Sequence, residues 1–236
     1  MTNEKLKQLW NYGQNIKSHI LTNPRMNVIV GSIGMGKTAH TFLLAELKHK
    51  HTPKNPVFIH VFEEEKREEL RSLLPEWIKL STQDNIIKGR INYRSFPYGS
   101  IIIIEELAGV DNSKNLAKDE LAKKLSYDMM TVRHRNQFVF GNIQNTALLN
   151  KDHFRGGTHL HFKAMDSFAI CFERQELADY FNTINNHVAR ISNQYTVDLR
   201  SLVYISDLAG DGVFKETLPS FWTTELSNIW GDNHSS

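Results

Sequence analysis

The sequence predicts an α/β protein with a mainly parallel central sheet covered by helices on both faces. Three observations predict this fold class. Short apolar runs alternate with amphipathic stretches at the spacing of βαβ units. A glycine-rich loop joins one of these runs to a helical pattern. Four aliphatic residues in a row, Ile101 to Ile104, are typical of a central strand buried on both faces.

The first third of the chain begins with a predicted amphipathic helix over 4–20, which Gly13 interrupts. The breaker Asn23-Pro24 precedes a short buried strand over 26–30. Apolar residues then recur with helical spacing over 38–48, and we expect the basic stretch that follows to end this helix as an exposed loop.

The middle of the chain continues the alternation. A strand is predicted over 57–62, and helix formers over 63–74 are closed by Pro75. A third strand, 100–104, follows a proline and glycine turn. Residues 114–133 form the longest helical candidate, with leucines near one face.

The last part begins with a fourth predicted strand over 137–142. Residues 159–163 and 168–172 are predicted as a fifth and a sixth strand that could pair as a hairpin. A helix over 173–190 follows. The chain then has a small hairpin of 203–205 and 213–215 around a glycine turn, and a polar tail.

Composition bounds the class of protein. The 236 residues are 40% hydrophobic and 23% charged, as in one globular domain. The net charge of +2 allows a nucleic-acid partner without arguing for one. A single cysteine, Cys171, excludes a disulfide framework and is predicted as a core residue in a reducing compartment. We expect no signal peptide and no transmembrane segment, and a cytoplasmic protein.

The strongest motif matches the phosphate loop G-x-x-x-x-G-K-[ST] at every specified position. An apolar strand precedes it and a helix follows, as the motif requires. The glycines let successive backbone N–H groups point at phosphate oxygens, Lys37 would reach the β- and γ-phosphates, and the Thr38 hydroxyl would bind Mg²⁺. The predicted ATP-binding residues are Gly31, Ser32, Ile33, Gly34, Met35, Gly36, Lys37 and Thr38.

An acidic pair, Glu105-Glu106, follows the aliphatic strand 100–104. Ligands of open α/β sheets collect at the carboxyl edge of the strands, where the phosphate loop also lies. Glu105 is therefore predicted to hold Mg²⁺ with Thr38, and Glu106 to activate water. The metal-facing position is usually an aspartate, so the longer Glu105 arm would shift the metal contact or act through water. Without a neighbouring phosphate loop, such an acidic pair is more often a solvent-exposed feature with no functional role.

A third element is Arg133-His134-Arg135 before the strand that leads to Gln144. With the two motifs above, it resembles the FtsK–HerA group of P-loop ATPases, and within it the genome-packaging ATPases of membrane-containing icosahedral viruses. The resemblance covers about 26–172. It divides a single 1–236 domain into an N-terminal helix (1–22), an ATPase core (26–172) and a C-terminal helix, hairpin and tail (173–236).

The resemblance implies a sheet of the additional-strand catalytic-glutamate type. The strand of Gln144 then lies between the phosphate-loop strand and the Glu105 strand, and Gln144 senses the γ-phosphate. It also implies a homo-oligomeric ring, pentamer or hexamer, around double-stranded DNA. An arginine would reach into a neighbour's site, with Arg155 preferred and Arg135 second. Further partners would be capsid or portal-vertex proteins, in host cytoplasm or at a virion vertex.

Other readings stay open at this point. A nucleoside or nucleotide kinase shares the loop and the size, and a filamentous-phage-type assembly ATPase or a nucleotide switch shares the loop. The pair His159 and His161 could ligate zinc, but buried or surface histidines are expected instead. Residues 48–54 and Lys123-Lys124 could touch DNA phosphates or be ordinary solvated faces.

Overall fold

The computed structural model describes residues 2–61, 63–87, 90–105, 107, 127–143, 158–171, 175–207 and 210–230. The strands within them are β1 (Met26–Val30), β2 (Val57–His60), β3 (Ile78–Leu80), β4 (Ile86–Ile87), β5 (Arg90–Ile91), β6 (Ile101–Ile104), β7 (Phe138–Ile143), β8 (Thr158–Phe162), β9 (Leu202–Asp207) and β10 (Gly210–Lys215).

The helices of the same residues are α1 (Asn3–Thr22), α2 (Lys37–His51), α3 (Glu64–Leu73), α4 (127–134), α5 (Ser167–Cys171), α6 (Gln175–Tyr195) and α7 (Thr224–Asn228). Only the last part of the predicted helix 114–133 lies within the described residues. No helix among them is long and apolar enough to cross a membrane.

Eight strands form one sheet in the order β10-β9-β8-β1-β7-β6-β2-β3, and β4 pairs with β5 separately. The β8–β1–β7–β6–β2–β3 part is parallel, whereas β9 runs antiparallel to both β8 and β10. This confirms the mainly parallel sheet, and it confirms that β7 lies between the phosphate-loop strand β1 and the strand β6. The terminal hairpin is the edge of this main sheet rather than a separate extension.

Each face of the sheet carries its own apolar core. Alternate residues of a strand point to opposite faces, so Ile101 and Ile103 join one core while Ile102 and Ile104 join the other. Helix α2 packs on the first face through Phe42 and Leu44. Helix α6 packs on the second through residues such as Phe181, Ile184, Val188 and Ile191.

Helix α1 is continuous through Gly13, which the sequence suggested as an interruption. A methyl group at Gly13 would lie 2.1 Å from the carbonyl oxygen of Val213, and one at Gly212 would lie 2.7 Å from the Gly13 Cα. The two glycines therefore let the backbones of α1 and β10 touch where they cross.

Three sequence predictions are wrong in detail. Residues 168–172 were expected as a strand paired with 159–163, but α5 occupies that place and β8 pairs with β1 and β9. Cys171, expected in the core, is exposed. Lys48, expected in an exposed loop, is a buried helical residue whose Nζ donates to the Leu21 carbonyl at 2.8 Å and lies over the Phe138 ring.

Candidate nucleotide-binding site

The phosphate loop connects β1 to α2 in the geometry that its glycines require. Gly34 and Gly36 adopt φ values of 76° and 79°, which side-chain-bearing residues rarely do. Gly36 is also the residue that caps the amino end of α2. The loop therefore lies at the carboxyl edge of the central strand, with a helix amino terminus behind it.

Two contacts fix the loop in this shape. The buried Lys37 folds back so that its Nζ donates to the carbonyl of Ser32 at 2.9 Å. The Ser32 hydroxyl accepts from the backbone N–H of Asp166 at 2.9 Å, which ties the loop to the segment after β8. The lysine that the motif assigns to phosphate is thus held across the loop.

Thr38, Glu105 and Asn142 meet beside the loop. The Thr38 hydroxyl donates to Glu105 Oε1 at 3.0 Å, and the Asn142 amide donates to Glu105 Oε2 at 3.0 Å. The backbone N–H of Glu105 donates to the carbonyl of His60 at 3.1 Å, which continues the pairing of β6 with β2. Three elements, α2, β6 and β7, thereby converge on one carboxylate.

His60 lies behind this cluster at the end of β2. Its Nδ1 is 2.8 Å from the hydroxyl of Ser81. Burial, and then the positive charge of Arg67, lowers the pKa of His60 to about 4. The imidazole next to the Glu105 strand is therefore neutral at pH 7.

Several predicted site residues lie outside the described residues, namely Glu106, Gln144 and Arg155. Arg135 is described. It lies before β7, at the amino edge of the sheet and away from the loop, and its guanidinium donates to the carbonyl of Phe96 at 2.7 Å. To reach into the site of a neighbouring subunit, Arg135 would first have to release this hydrogen bond.

A buried charged cluster lies on the other side of the loop. Glu216, just after β10, pairs with Lys163 and with His40, which belongs to the first turn of α2. Burial alone would raise the pKa of Glu216, but the neighbouring charges of His40 and Lys163 lower it overall. Lys163 also donates to the carbonyl of Arg200.

The hydrogen bonds around this cluster show which of its side-chain atoms donate and which accept. Asn27 Nδ2 donates to the carbonyls of Arg25 and Val139, so its Oδ1 accepts from His161 Nε2 at 3.2 Å. Burial and then the charges of His40 and His159 hold the pKa of His161 well below its usual range, so its Nδ1 accepts from His40 Nε2 at 3.0 Å. The Nδ1 of His40 faces the Glu216 carboxylate.

His159 and His161 are therefore core residues of β8, as expected, with both side chains fully buried. Among the described residues no group of three or more His, Cys, Asp or Glu is placed to hold a metal ion.

One open cleft of about 870 Å³ joins both clusters to the loop. Its lining includes the loop residues, Glu105 and Asn142, and also Arg200, Leu218 and Trp222 from the C-terminal part. Four of these lining residues were not predicted as site residues from the sequence, namely Asn142, Arg200, Leu218 and Trp222. Asn142 could have been found, because it is the first polar residue at the carboxyl end of the strand that precedes Gln144.

Comparison with solved structures identifies the architecture. The genome packaging NTPase B204 from Sulfolobus turreted icosahedral virus 2, in complex with AMPPCP, matches with a TM-score of 0.51 at 13% identity over 83% of this chain and 100% of that chain. The chain shares the fold of this NTPase. The ATP-gammaS complex of the same protein gives a TM-score of 0.50 at 12% identity, covering 83% and 98%.

A further match is B204, the DNA-packaging ATPase from Sulfolobus Turreted Icosahedral Virus, with a TM-score of 0.50 at 12% identity, covering 83% of this chain and 99% of that one. No protein-family model matches the sequence, and no curated protein matches it. At these identities the likeness concerns the fold.

Proposed function

We propose that the chain is an ATPase that couples hydrolysis to the translocation of double-stranded DNA, as in the packaging of a viral genome into a preformed capsid. The observation that carries the proposal is the convergence of Thr38 and Asn142 on the Glu105 carboxylate beside the phosphate loop. A strand inserted between the loop strand and the acidic strand makes that convergence possible.

Mg²⁺ fits the residues present, since it prefers oxygen ligands and the Thr38 hydroxyl and the Glu105 carboxylate lie 3.0 Å apart. The glutamate arm reaches the hydroxyl directly, so the position does not need an aspartate. When bound, the ion would neutralise charge on the β- and γ-phosphates. Lys37, exchanging the Ser32 carbonyl for phosphate oxygens, would add a second positive charge.

The hydrolytic roles fall to residues next to this cluster in sequence. Glu106 follows Glu105 directly and would deprotonate the attacking water. Gln144 follows Ile143, the last residue of β7, and would sense the γ-phosphate alongside Asn142. Arg155, or Arg135 after release from Phe96, would enter a neighbour's site, where such an arginine raises the rate by about 10³–10⁵ in other NTPases.

The comparison of folds is what supports the proposed DNA partner and the proposed ring. The protein with the matching fold is named for genome packaging and is seen with nucleotide analogues. A pentameric or hexameric ring around the duplex would bring each arginine to the next subunit, and capsid or portal-vertex proteins would dock the ring. Such a motor would work in host cytoplasm and at the virion vertex.

The deciding experiment measures ATP turnover with and without duplex DNA for the wild type and Glu106→Gln. We expect DNA to raise wild-type turnover, and the substitution to lower it about 10²–10⁴-fold while nucleotide binding persists. Glu65→Gln, an exposed acid on α3, is the matched control and leaves turnover unchanged. Hydrolysis indifferent to both DNA and Glu106→Gln would sink the proposal, and a strict monomer with ATP bound would contradict the ring.

A further inference from the structure

The segment from Glu216 to Trp222, called the strap here, follows β10 and lies along the phosphate-loop helix α2. We propose that the strap forms the subsite for the base of the bound nucleoside triphosphate, with Leu218 as its central apolar contact. The inference rests on the proposed function, because it assumes that the phosphate loop holds a triphosphate.

The first end of the strap is anchored to the loop helix by charge. Glu216 pairs with His40 of α2 and with Lys163, and its backbone N–H donates to the carbonyl of Ser201 at 2.8 Å. Glu216, His40 and Lys163 are each at least nine-tenths buried. Moving this end would separate buried opposite charges, which is costly in a protein interior.

The second end is anchored to the same helix a turn and a half further on. Ser220 donates from its backbone N–H to Glu46 Oε2 at 3.1 Å and from its hydroxyl to Glu46 Oε1. The Trp222 ring packs against Phe42, with 5.8 Å between the ring centroids. Both ends of the strap therefore move with α2, and so with the phosphate loop.

Between the anchors, Leu218 is 63% exposed and lines the cleft. The residue before a proline is restricted to extended conformations, and Pro219 follows Leu218, so the exposed position is stiff. Ile33 in the loop is 69% exposed and lines the same cleft. Of the five large apolar side chains exposed among the described residues, these two lie where a ligand would bind.

Apolar side chains rigidly presented to water at the mouth of a cleft are typical of ligand-binding surfaces. A triphosphate would occupy the loop end of the 870 Å³ cleft, and the space along the strap remains for the attached nucleoside. The flat apolar face of a base is the part of the nucleotide that matches Leu218 and Trp222. Stacking needs no particular base, so the subsite favours nucleotides over bare phosphates rather than one base over another.

The test compares ATP with inorganic tripolyphosphate, both with Mg²⁺, by calorimetric titration of the full chain. Leu218→Ser should raise the Kd for ATP about five- to tenfold and change the Kd for tripolyphosphate by less than about twofold. Tyr98→Ser is the matched control, because Tyr98 is 67% exposed and lies outside the cleft lining. Lys37→Ala should weaken both ligands together.

The outcomes separate the two proposals. A wild type that binds neither ligand overturns the proposed function, and the base subsite with it. A wild type that binds both, combined with a Leu218→Ser variant that keeps its ATP affinity or loses both ligands equally, overturns the base subsite alone. Equal affinity of the wild type for ATP and tripolyphosphate would also overturn the base subsite alone.

Discussion

Two glutamates at the same edge of the sheet, Glu105 and Glu216, are treated by the fold in opposite ways. Glu105 follows β6 and is partly buried, and its carboxylate accepts from the neutral Thr38 hydroxyl and Asn142 amide. Glu216 follows β10 and is 9% exposed, between Lys163 and His40. The Glu105 carboxylate thus accepts from two neutral groups beside the loop, whereas the Glu216 carboxylate pairs with two basic side chains inside the fold.

The buried histidines repeat the same contrast. His60 behind Glu105 faces the Ser81 hydroxyl and is neutral, whereas His40 beside Glu216 faces a carboxylate. The side of the cleft that we assign to chemistry holds the Glu105 carboxylate beside hydroxyl and amide donors. The opposite side, which we assign to the base, is a closed set of paired charges.

The largest effect is expected from Glu216→Ala, which leaves Lys163 and His40 buried without their counter-charge. Removing one partner of a buried ion pair typically costs about 3–5 kcal/mol of unfolding free energy. Urea denaturation measures it, and Glu105→Ala is the comparison variant, for which we expect a smaller loss of about 1.5–3 kcal/mol from its two hydrogen bonds. Equal losses in the two variants would show that both carboxylates are structural.

Glu105→Ala should instead act on turnover. Loss of the carboxylate that fits the metal should slow hydrolysis about 10²–10³-fold, the usual effect of removing one electrostatic contact of a transition state. Steady-state ATP turnover measures this, with Glu65→Ala as the control acid on α3. If Glu105→Ala hydrolysed ATP as fast as the wild type, Glu105 would have no role in hydrolysis.

The pH dependence of stability should report His60. The unfolded chain takes up a proton near pH 6.5 and the folded chain only near the pKa of about 4, so the unfolded state binds more protons between these values. The unfolding free energy should therefore fall as pH decreases through this window, with a His60 contribution of about 1 kcal/mol per pH unit near pH 5. Urea titrations of His60→Asn at several pH values should lack that contribution, and those of His51→Asn, an exposed histidine, should keep it.

The smallest effect is expected from Asn142→Ala, which removes one donor from Glu105 Oε2. One hydrogen bond to a charged group is worth about 1.5 kcal/mol, so turnover should fall about 10- to 15-fold, less than in Glu105→Ala. The double variant tests the coupling. If the two losses simply add, Asn142 does not act through Glu105.

The two sides of the cleft also differed in what the sequence could predict. The phosphate loop is contiguous and its residue types follow directly from phosphate chemistry, so its place and the position of Glu105 were predictable. His40, Lys163 and Glu216 come from three distant parts of the chain, and each alone is an ordinary polar residue. Only the strand order, which places β8 to β10 beside β1, brings them together.

Local patterns misled where tertiary contacts decide. The apolar run 168–172 is too short for periodicity to separate a strand from a helix, and its residues 168–171 lie in α5. Gly13 lowers helix propensity, yet the helix continues because its glycine fits the backbone of β10. The arrangement of β7 between β1 and β6 was predicted by family resemblance rather than by any residue pattern.

The crossing of α1 over β10 has a consequence for synthesis. The ribosome makes α1 long before β10, so the nascent helix lacks the strand on which it mainly packs until late in translation. Helix α2 is likewise made well before Glu216, the residue that pairs with its His40. A chain released before β10 has emerged would carry an intact phosphate motif on an unfinished protein.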